Sequence, residues 1–135
     1  MSLHPFRPPA AYRREVALLE QEGQAGWTAL AALSQAEIRR IARSSPGSEA
    51  RLLRLRGQAK LLVALDLAPA EAALLLHAGV PDPAALASSD AHTLHRRIGR
   101  LQRGLAGSAM APLPLATVRA WVLRAASLGA GRSGN

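Results

Sequence analysis

Residues 67–80 have the sequence LAPAEAALLLHAGV, which predicts a short helix with a defined start and end. Pro69 suits the first helical turn, where the backbone N–H has no partner in the helix. Gly79 suits the position just after a helix, where the chain turns left-handed. We therefore expect a helix that begins at Pro69 and ends at Ala78–Gly79.

The same pattern occurs earlier in the chain. Val16–Gly23 aligns with Ala72–Gly79 at an offset of 56 residues, and Arg39–Arg43 (RRIAR) aligns with Arg96–Arg100 (RRIGR) one residue further along. Each copy predicts a helix, a glycine stop, a short middle helix and a capped helix with the basic run. The alternative is chance similarity between Ala- and Leu-rich helices. Because each copy is too short to bury its own core, we expect the two to pack together.

Helix-start signals divide the rest of the chain. Ser34 and Glu37 form a capping box, Asp82 and Asp90 are N-cap residues, and Ser48 is expected to cap a long helix. We predict flexible ends and one domain between them. The ends are residues 1–9 and 129–135, and the domain, 10–128, comprises repeat one (about 10–45), a linking helix (48–65), repeat two (about 67–106) and a closing helix (114–128).

Composition restricts the fold class. The chain has 29 Ala and 23 Leu but only five Val, three Ile and four aromatic residues, whereas β-sheets depend on β-branched and aromatic side chains. We therefore predict an all-α protein, a compact bundle of short helices. The absence of cysteine excludes disulfides, thiolate zinc sites and a cysteine nucleophile. No apolar run approaches the roughly 18 residues that a membrane span needs, and no secretory signal is evident, so a cytoplasmic location is expected.

The second repeat carries a resemblance to known proteins. Leu67–Val80, followed by Asp82–Ala87 and Leu94, looks like a helix-hairpin-helix or SAM-like unit. With residues 49–62 joining two such units, residues 12–127 are similar to the bacterial family catalogued as domain of unknown function 4332. The resemblance implies a bundle of short helices and contact with nucleic acid.

The hairpin departs from the DNA-binding pattern. Helix-hairpin-helix motifs that bind DNA have a Gly-apolar-Gly hairpin whose backbone amides contact a phosphate. The equivalent residues here are Asp66–Pro69, which include an acid and a proline but no glycine. Side chains must therefore make any contact with DNA.

The helix expected after Asp90 separates apolar from basic residues. Its apolar stripe consists of Leu94, Ile98, Leu101 and Leu105. Its opposite face carries His92, Arg96, Arg100 and Arg103, with Arg97 to one side. Guanidinium groups at this spacing suit successive phosphates, so we expect these arginines to lead nucleic-acid binding. The alternative is a solvated face in an arginine-rich protein, partly paired with acids from neighbouring helices.

Two further basic groups are candidates for the same role. Arg39, Arg40 and Arg43 occupy the matching positions of the first repeat and form the expected second surface, which Glu37 could weaken. Arg54 and Lys60 flank the buried stripe of the linking helix. The alternative for these two is that they extend along apolar surface without a ligand.

No metal, cofactor or catalytic site is expected. His92 and His95 have a spacing that could serve a metal, but a third ligand is missing, Asp90 is used as a cap, and the arginines would repel a cation. His77 suits a helix C-terminus, and Trp27 and Trp121 are expected in the core. The acids and serines match no catalytic motif.

These patterns predict a non-enzymatic protein that binds nucleic acid through arginine-rich helix faces. Duplex DNA is favoured over RNA, without sequence preference, because the net charge of +8 makes the electrostatic share of binding large. The alternative is a SAM-like protein-interaction module that binds an acidic partner or self-associates as a homodimer.

Overall fold

The computed structural model describes residues 4–104 and 111–133, with side chains up to residue 129. Within these ranges there are eight α-helices and no strands, which confirms the all-α prediction. The helices are α1 (Arg13–Gln21), α2 (Trp27–Ala31), α3 (Gln35–Ile41), α4 (Ser48–Leu65), α5 (Pro69–His77), α6 (Pro83–Ala87), α7 (Ala91–Gly104) and α8 (Leu115–Ser133). Two 3₁₀ turns, Ala10–Tyr12 and Ala42–Ser44, precede α1 and follow α3.

The helices group into two compact units, Met1–Pro69 and Ala70–Asn135. The linking helix α4 has the predicted bounds and belongs to the first unit. In both units a helix, a left-handed glycine, a five-residue helix and a helix with the basic run follow in the same order. That the two are copies of one repeat stays a prediction.

In the first unit, α1, α2 and α3 all pack on α4. The core contains Trp27 and Leu30 of α2 with Leu52 and Leu55 of α4, all 0–2% exposed. Full burial of such a side chain stabilises the fold by about 1.5–3 kcal/mol. Because three helices pack on α4, this helix is the centre of the unit. The indole Nε1–H of Trp27 donates to the carbonyl of Pro5 at 3.0 Å, which satisfies its only polar atom.

In the second unit, α6 and α7 pack on α8. The buried stripe of α8 consists of Val118, Trp121 and Ala125, a spacing that keeps all three on one helical face. Both tryptophans are thus in the core, as predicted. The helix continues to Ser133, beyond its predicted end at residue 128.

Most helix ends follow the predicted signals. The Ser34 Oγ accepts from the amide of Glu37 at 3.1 Å, and the Glu37 carboxylate accepts from the amide of Ser34 at 3.0 Å. Asp82 accepts from the amide of Ala85 at 2.8 Å. Asp90 accepts from both the amide and the hydroxyl of Thr93, at 2.9 and 2.7 Å. Two glycines stop α1 and α5 in left-handed backbone, Gly23 at φ 68° and Gly79 at φ 91°.

Ser48 does not cap α4, and this prediction was wrong. The N-cap is Gly47, in left-handed backbone at φ 86°, and Ser48 is the first helical residue. Ser48 is fully buried, and its hydroxyl donates to the carboxylate of Glu15 at 2.6 Å. Glu15 also accepts from Nε of Arg51 at 3.1 Å. A serine that the local pattern assigns to a helix start therefore serves a tertiary contact between α1 and α4.

Glu15 is 1% exposed and ionised at neutral pH. Burial acts to raise the pKa of Glu15, but hydrogen bonds from Ser48 and Arg51 together outweigh it, so the pKa lies below its ordinary value of 4.5. Because the folded-state pKa is the lower one, this carboxylate contributes stability above the unfolded-state pKa. That contribution is lost as the pH falls from there through the folded-state pKa.

We predict that Glu15→Gln lowers the free energy of unfolding by about 1–3 kcal/mol at pH 7, because charge-assisted hydrogen bonds in the core are lost. Between pH 6 and pH 3 the urea midpoint of the wild type should fall further than that of the variant. Glu20→Gln is the control, since Glu20 is exposed on the same helix, and should change stability by less than about 0.5 kcal/mol. Equal stability of Glu15→Gln and wild type would contradict the assignment.

Candidate nucleic-acid interface

Helix α7 places its basic residues in solvent. Leu94 and Ile98 are 2% and 0% exposed and attach the helix to the core, while Leu101 is half-buried. Leu105, the last residue of the predicted stripe, lies outside the described residues. On the other side, four exposed side chains form a surface that we call the α7 face: His92, Arg96, Arg100 and Arg103.

The α7 face has one acid beside it, the N-cap residue Asp90. Hydrogen bonds from Thr93 lower the pKa of Asp90, and the charges of His92 and Arg96 lower it further. The chain has no Asp or Glu from residue 91 to residue 135, but it has seven arginines there. The ion pairs of Arg39, Arg40 and Arg51 lie in the first unit. The side chain of Arg96 lies 3.5 Å from the neutral Oγ1 of Thr93 and interacts electrostatically with Asp90. The face therefore presents a positive potential to solvent.

Arg97 has a structural contact that the sequence pattern does not indicate. Its Nη1 donates to the carbonyl of Ala78 at 3.0 Å, at the end of α5. A Cβ at Gly79 would lie 3.5 Å from the same nitrogen. Arg97 thus fastens α7 to the C-terminus of α5, where a cation also interacts favourably with the helix dipole. Of the four arginines predicted to lead binding, it is the one engaged with the backbone of its own unit.

Gly99 leaves room for the side chain of Arg103. A Cβ built at Gly99 would lie 3.1 Å from Nη1 of Arg103, which shows that the guanidinium lies back across the helix over the glycine. The two residues border a shallow cleft of about 370 Å³, whose further walls include His95 and Leu113. Glycine destabilises a helix relative to alanine, but at position 99 the missing side chain leaves space on the surface beside Arg100 and Arg103.

Helix α8 adds a residue that the sequence reasoning missed. Nη2 of Arg119 lies 3.4 Å from Nε2 of His92, so Arg119 belongs beside the α7 face. The spacing of α8 indicates only its buried stripe. The available signal was the absence of acids after residue 90, which applies to both helices.

The corresponding surface of the first unit is partly neutralised. Nη1 of Arg40 lies 3.1 Å from the carboxylate of Glu22, and Nε of Arg39 lies 3.9 Å from that of Glu49. Arg43 is exposed. The partner acids come from outside α3, while Glu37 is held in the capping box, where hydrogen bonds from Ser34 lower its pKa.

Helix α4 uses its cations in different ways. Arg54 is exposed and Lys60 is half-buried. Nη1 of Arg56 donates to the carbonyl of Leu33 at 2.9 Å, and Arg51 bonds Glu15. Of the two α4 residues predicted to contact nucleic acid, Arg54 is the more accessible.

The two histidines of α7 do not face one site. His95 Nε2 lies 2.9 Å from the carbonyl of Leu113, whereas His92 contacts Arg119. Over residues 4–104 and 111–133, no three metal-ligating side chains come together.

Over residues 4–104 and 111–133 the protein is thus all-helical, and its helix α7 carries three exposed arginines that form no ion pair there. The chain belongs to the family described as domain of unknown function DUF4332, whose signature matches residues 9–128. Comparison with curated proteins and with solved structures found no match. In the described ranges no helix is both long and apolar enough to cross a membrane.

Arg97 and Arg100 belong to the same basic run, and we predict different effects of their substitution on stability. Arg97→Ala should lower the free energy of unfolding by about 1 kcal/mol, because the carbonyl of Ala78 loses its donor. Arg100→Ala should change it by less than about 0.5 kcal/mol. Urea titrations of both variants give the comparison, and equal effects would contradict the structural role of Arg97.

We predict that Gly99→Ala stabilises the protein by about 0.5–1 kcal/mol, because alanine is the better helix former. The atom nearest the new Cβ is the end of a flexible, exposed side chain, so Arg103 can move aside. Thermal unfolding should show the gain. A loss of stability would mean that Arg103 is held in place by its surroundings.

Proposed function

We propose that this protein binds duplex nucleic acid, with DNA favoured over RNA, through the α7 face. The observation that carries the proposal is the exposure of Arg96, Arg100 and Arg103 on one helix. None of the three forms an ion pair among the described residues, and Asp90 is the acid that interacts with Arg96. Arg119 extends the surface from α8. Arg39, Arg40 and Arg43 form a weaker second surface, because two of them are paired with acids.

The spacing of the arginines supports contact with a phosphate backbone. Arg96 and Arg103 lie seven residues apart, about 10 Å along the helix axis at 1.5 Å per residue. A strand of B-DNA advances 3.4 Å per phosphate along its axis, so the face spans about three phosphates. Arginine suits this role because its donors form a planar fork that binds phosphate oxygens in pairs.

The aromatic residues favour a duplex over a single strand. Proteins that bind single strands stack the bases on exposed aromatic rings. All four aromatic side chains lie in the described residues and none is exposed: Trp27 and Trp121 are buried, and Phe6 and Tyr12 are half-buried. Backbone contact without stacking carries no sequence information, so the proposed binding is independent of sequence.

We propose that the protein binds its ligand without catalysing a reaction. Its most strongly bonded hydroxyl is that of Ser48, which is fully buried and donates to an ionised carboxylate. A nucleophile needs access to substrate and a base that can take its proton. Ser48 is buried away from substrate, and the lowered pKa of Glu15 makes this carboxylate a weak base.

A specific observation favours the second candidate function, a protein-interaction module. Leu123 and Leu128 of α8 are 63% and 39% exposed. Large apolar side chains in solvent are typical of protein interaction sites. Arg119 and Arg124 on the same helix would favour an acidic partner.

For duplex DNA we expect log K to fall against log salt with a slope of about −4 to −5, which corresponds to four to six phosphates neutralised. The variant Arg96→Ala/Arg100→Ala/Arg103→Ala should reduce the slope by about 3 and weaken binding at low salt. Circular dichroism should show unchanged helix content, because all three side chains are exposed. Fluorescence anisotropy with a labelled duplex at several salt concentrations measures the slope.

The matched control is Arg39→Ala/Arg40→Ala/Arg43→Ala, which removes the same charge from the first unit. We expect it to weaken binding less, because Glu22 and Glu49 already neutralise two of these residues. Equal losses in the two triple variants would show an effect of net charge and contradict the α7 face. Absence of DNA binding at about 50 mM salt, with a defined oligomer in light scattering, would favour the interaction module.

A further inference from the structure

A second basic site lies in the first unit and shares no residue with the surfaces proposed above for nucleic acid. A cleft of about 490 Å³ opens where the 3₁₀ turn Ala10–Tyr12 enters α1. Three arginines line it: Arg13 and Arg14 from the first turn of α1, and Arg51 from α4. Ala10 and Ala11 supply small side chains on the same wall, which leaves space between the guanidinium groups.

Arg51 is held in a fixed orientation at the base of this cleft. Its Nε donates to Glu15 at 3.1 Å, and Nη2 donates to the carbonyl of Ala11. Its Cζ lies 4.6 Å from the centroid of the Tyr12 ring. These contacts use two of the five N–H donors of a guanidinium. Because the side chain is already ordered, a ligand would bind it at a small cost in conformational entropy.

The one acid of the cleft does not compete with an anion. Glu15 is 1% exposed, and Ser48 and Arg51 already bond its two oxygens. Ser45 completes this network, since its Oγ lies 2.7 Å from that of Ser48. Arg13 and Arg14 are exposed, and neither forms an ion pair within the described residues. Three cations facing one buried carboxylate leave the cleft with an excess of two positive charges.

We propose that Arg13, Arg14 and Arg51 form a binding site for a phosphate group. A phosphate offers several acceptor oxygens and a charge near −2, so it can satisfy more than one guanidinium at once. A single carboxylate matches one arginine in this way. The site does not depend on the α7 face, because all three residues belong to the first unit.

Inorganic phosphate is the first probe, added to the full-length protein at pH 7 with ionic strength held constant by NaCl. We expect a saturable shift of the Nε–H resonance of Arg51 in a ¹⁵N–¹H spectrum. The variant Arg13→Ala/Arg14→Ala should weaken phosphate binding about tenfold or more, since two charge-assisted contacts are lost. Both residues are exposed, so the variant should keep the fold, and the Arg51 resonance reports that directly.

Two controls distinguish this site from a general effect of charge. Arg54→Ala/Arg124→Ala removes two exposed arginines outside the cleft and should leave the phosphate response unchanged. The α7 triple variant should also keep it, even if the proposed DNA binding fails. A response to phosphate no larger than that to chloride, or the same response in Arg13→Ala/Arg14→Ala, would overturn the proposal.

A second arm identifies the source of the phosphate. A duplex with a 5′-phosphate and the same duplex with a 5′-hydroxyl are compared in wild type and in Arg13→Ala/Arg14→Ala. If the wild type binds the 5′-phosphorylated duplex more tightly and the variant binds both duplexes equally, the ligand is a nucleic-acid terminus. Equal binding of the two ends, with the response to inorganic phosphate intact, supports a small phosphorylated molecule in the same site.

Discussion

Short helices end often, and each end leaves backbone carbonyls that need a donor from elsewhere in the chain. In this protein long polar side chains supply many of these donors. Arg97 bonds the carbonyl of Ala78, just after α5, and Arg56 bonds that of Leu33, just after α2. Gln58 bonds the carbonyl of Pro69, at the start of α5, at 3.0 Å. Each donor comes from the middle of a longer helix. Such bonds connect the short helices where there is little apolar surface to bury.

The arginine residues fall into three classes according to their contacts. Some arginines satisfy carbonyls or the buried Glu15, and they contribute to the fold. Arg39 and Arg40 form exposed ion pairs, which are worth little to stability but neutralise charge. A third class consists of exposed arginines without such contacts, among them Arg100 on the α7 face and Arg13 and Arg14 at the start of α1. The net charge of +8 is therefore a poor measure of any one surface, and the position of the acids decides which surface is positive.

Local sequence signals predicted the helices well and the tertiary contacts poorly. The capping box at Ser34, the bounds of α4 and the glycine stops depend on residues within four positions of each other, so the chain itself displays them. Ser48 looked like another cap, and only the position of α1 shows that it bonds Glu15. The sequence RRIGR likewise gives no basis for assigning different roles to Arg97 and Arg100. Their difference arises because the end of α5 lies next to one and not the other.

The two basic runs differ in the helices that carry them and in the acids beside them. RRIAR begins on α3, which ends at Ile41, and its last two residues lie in the following 3₁₀ turn. Glu49 and Glu22 from neighbouring segments pair with Arg39 and Arg40. RRIGR lies inside α7, which continues to Gly104 and so adds Arg103 to the same face. Its glycine lets that arginine lie across the helix, at a cost in helix stability that packing does not explain. Alanine at this position would favour the helix, whereas glycine leaves space for the exposed guanidinium of Arg103. The longer helix, its glycine and the absence of acids after residue 90 all increase accessible positive charge on one unit, which is why the proposed interface is placed on α7.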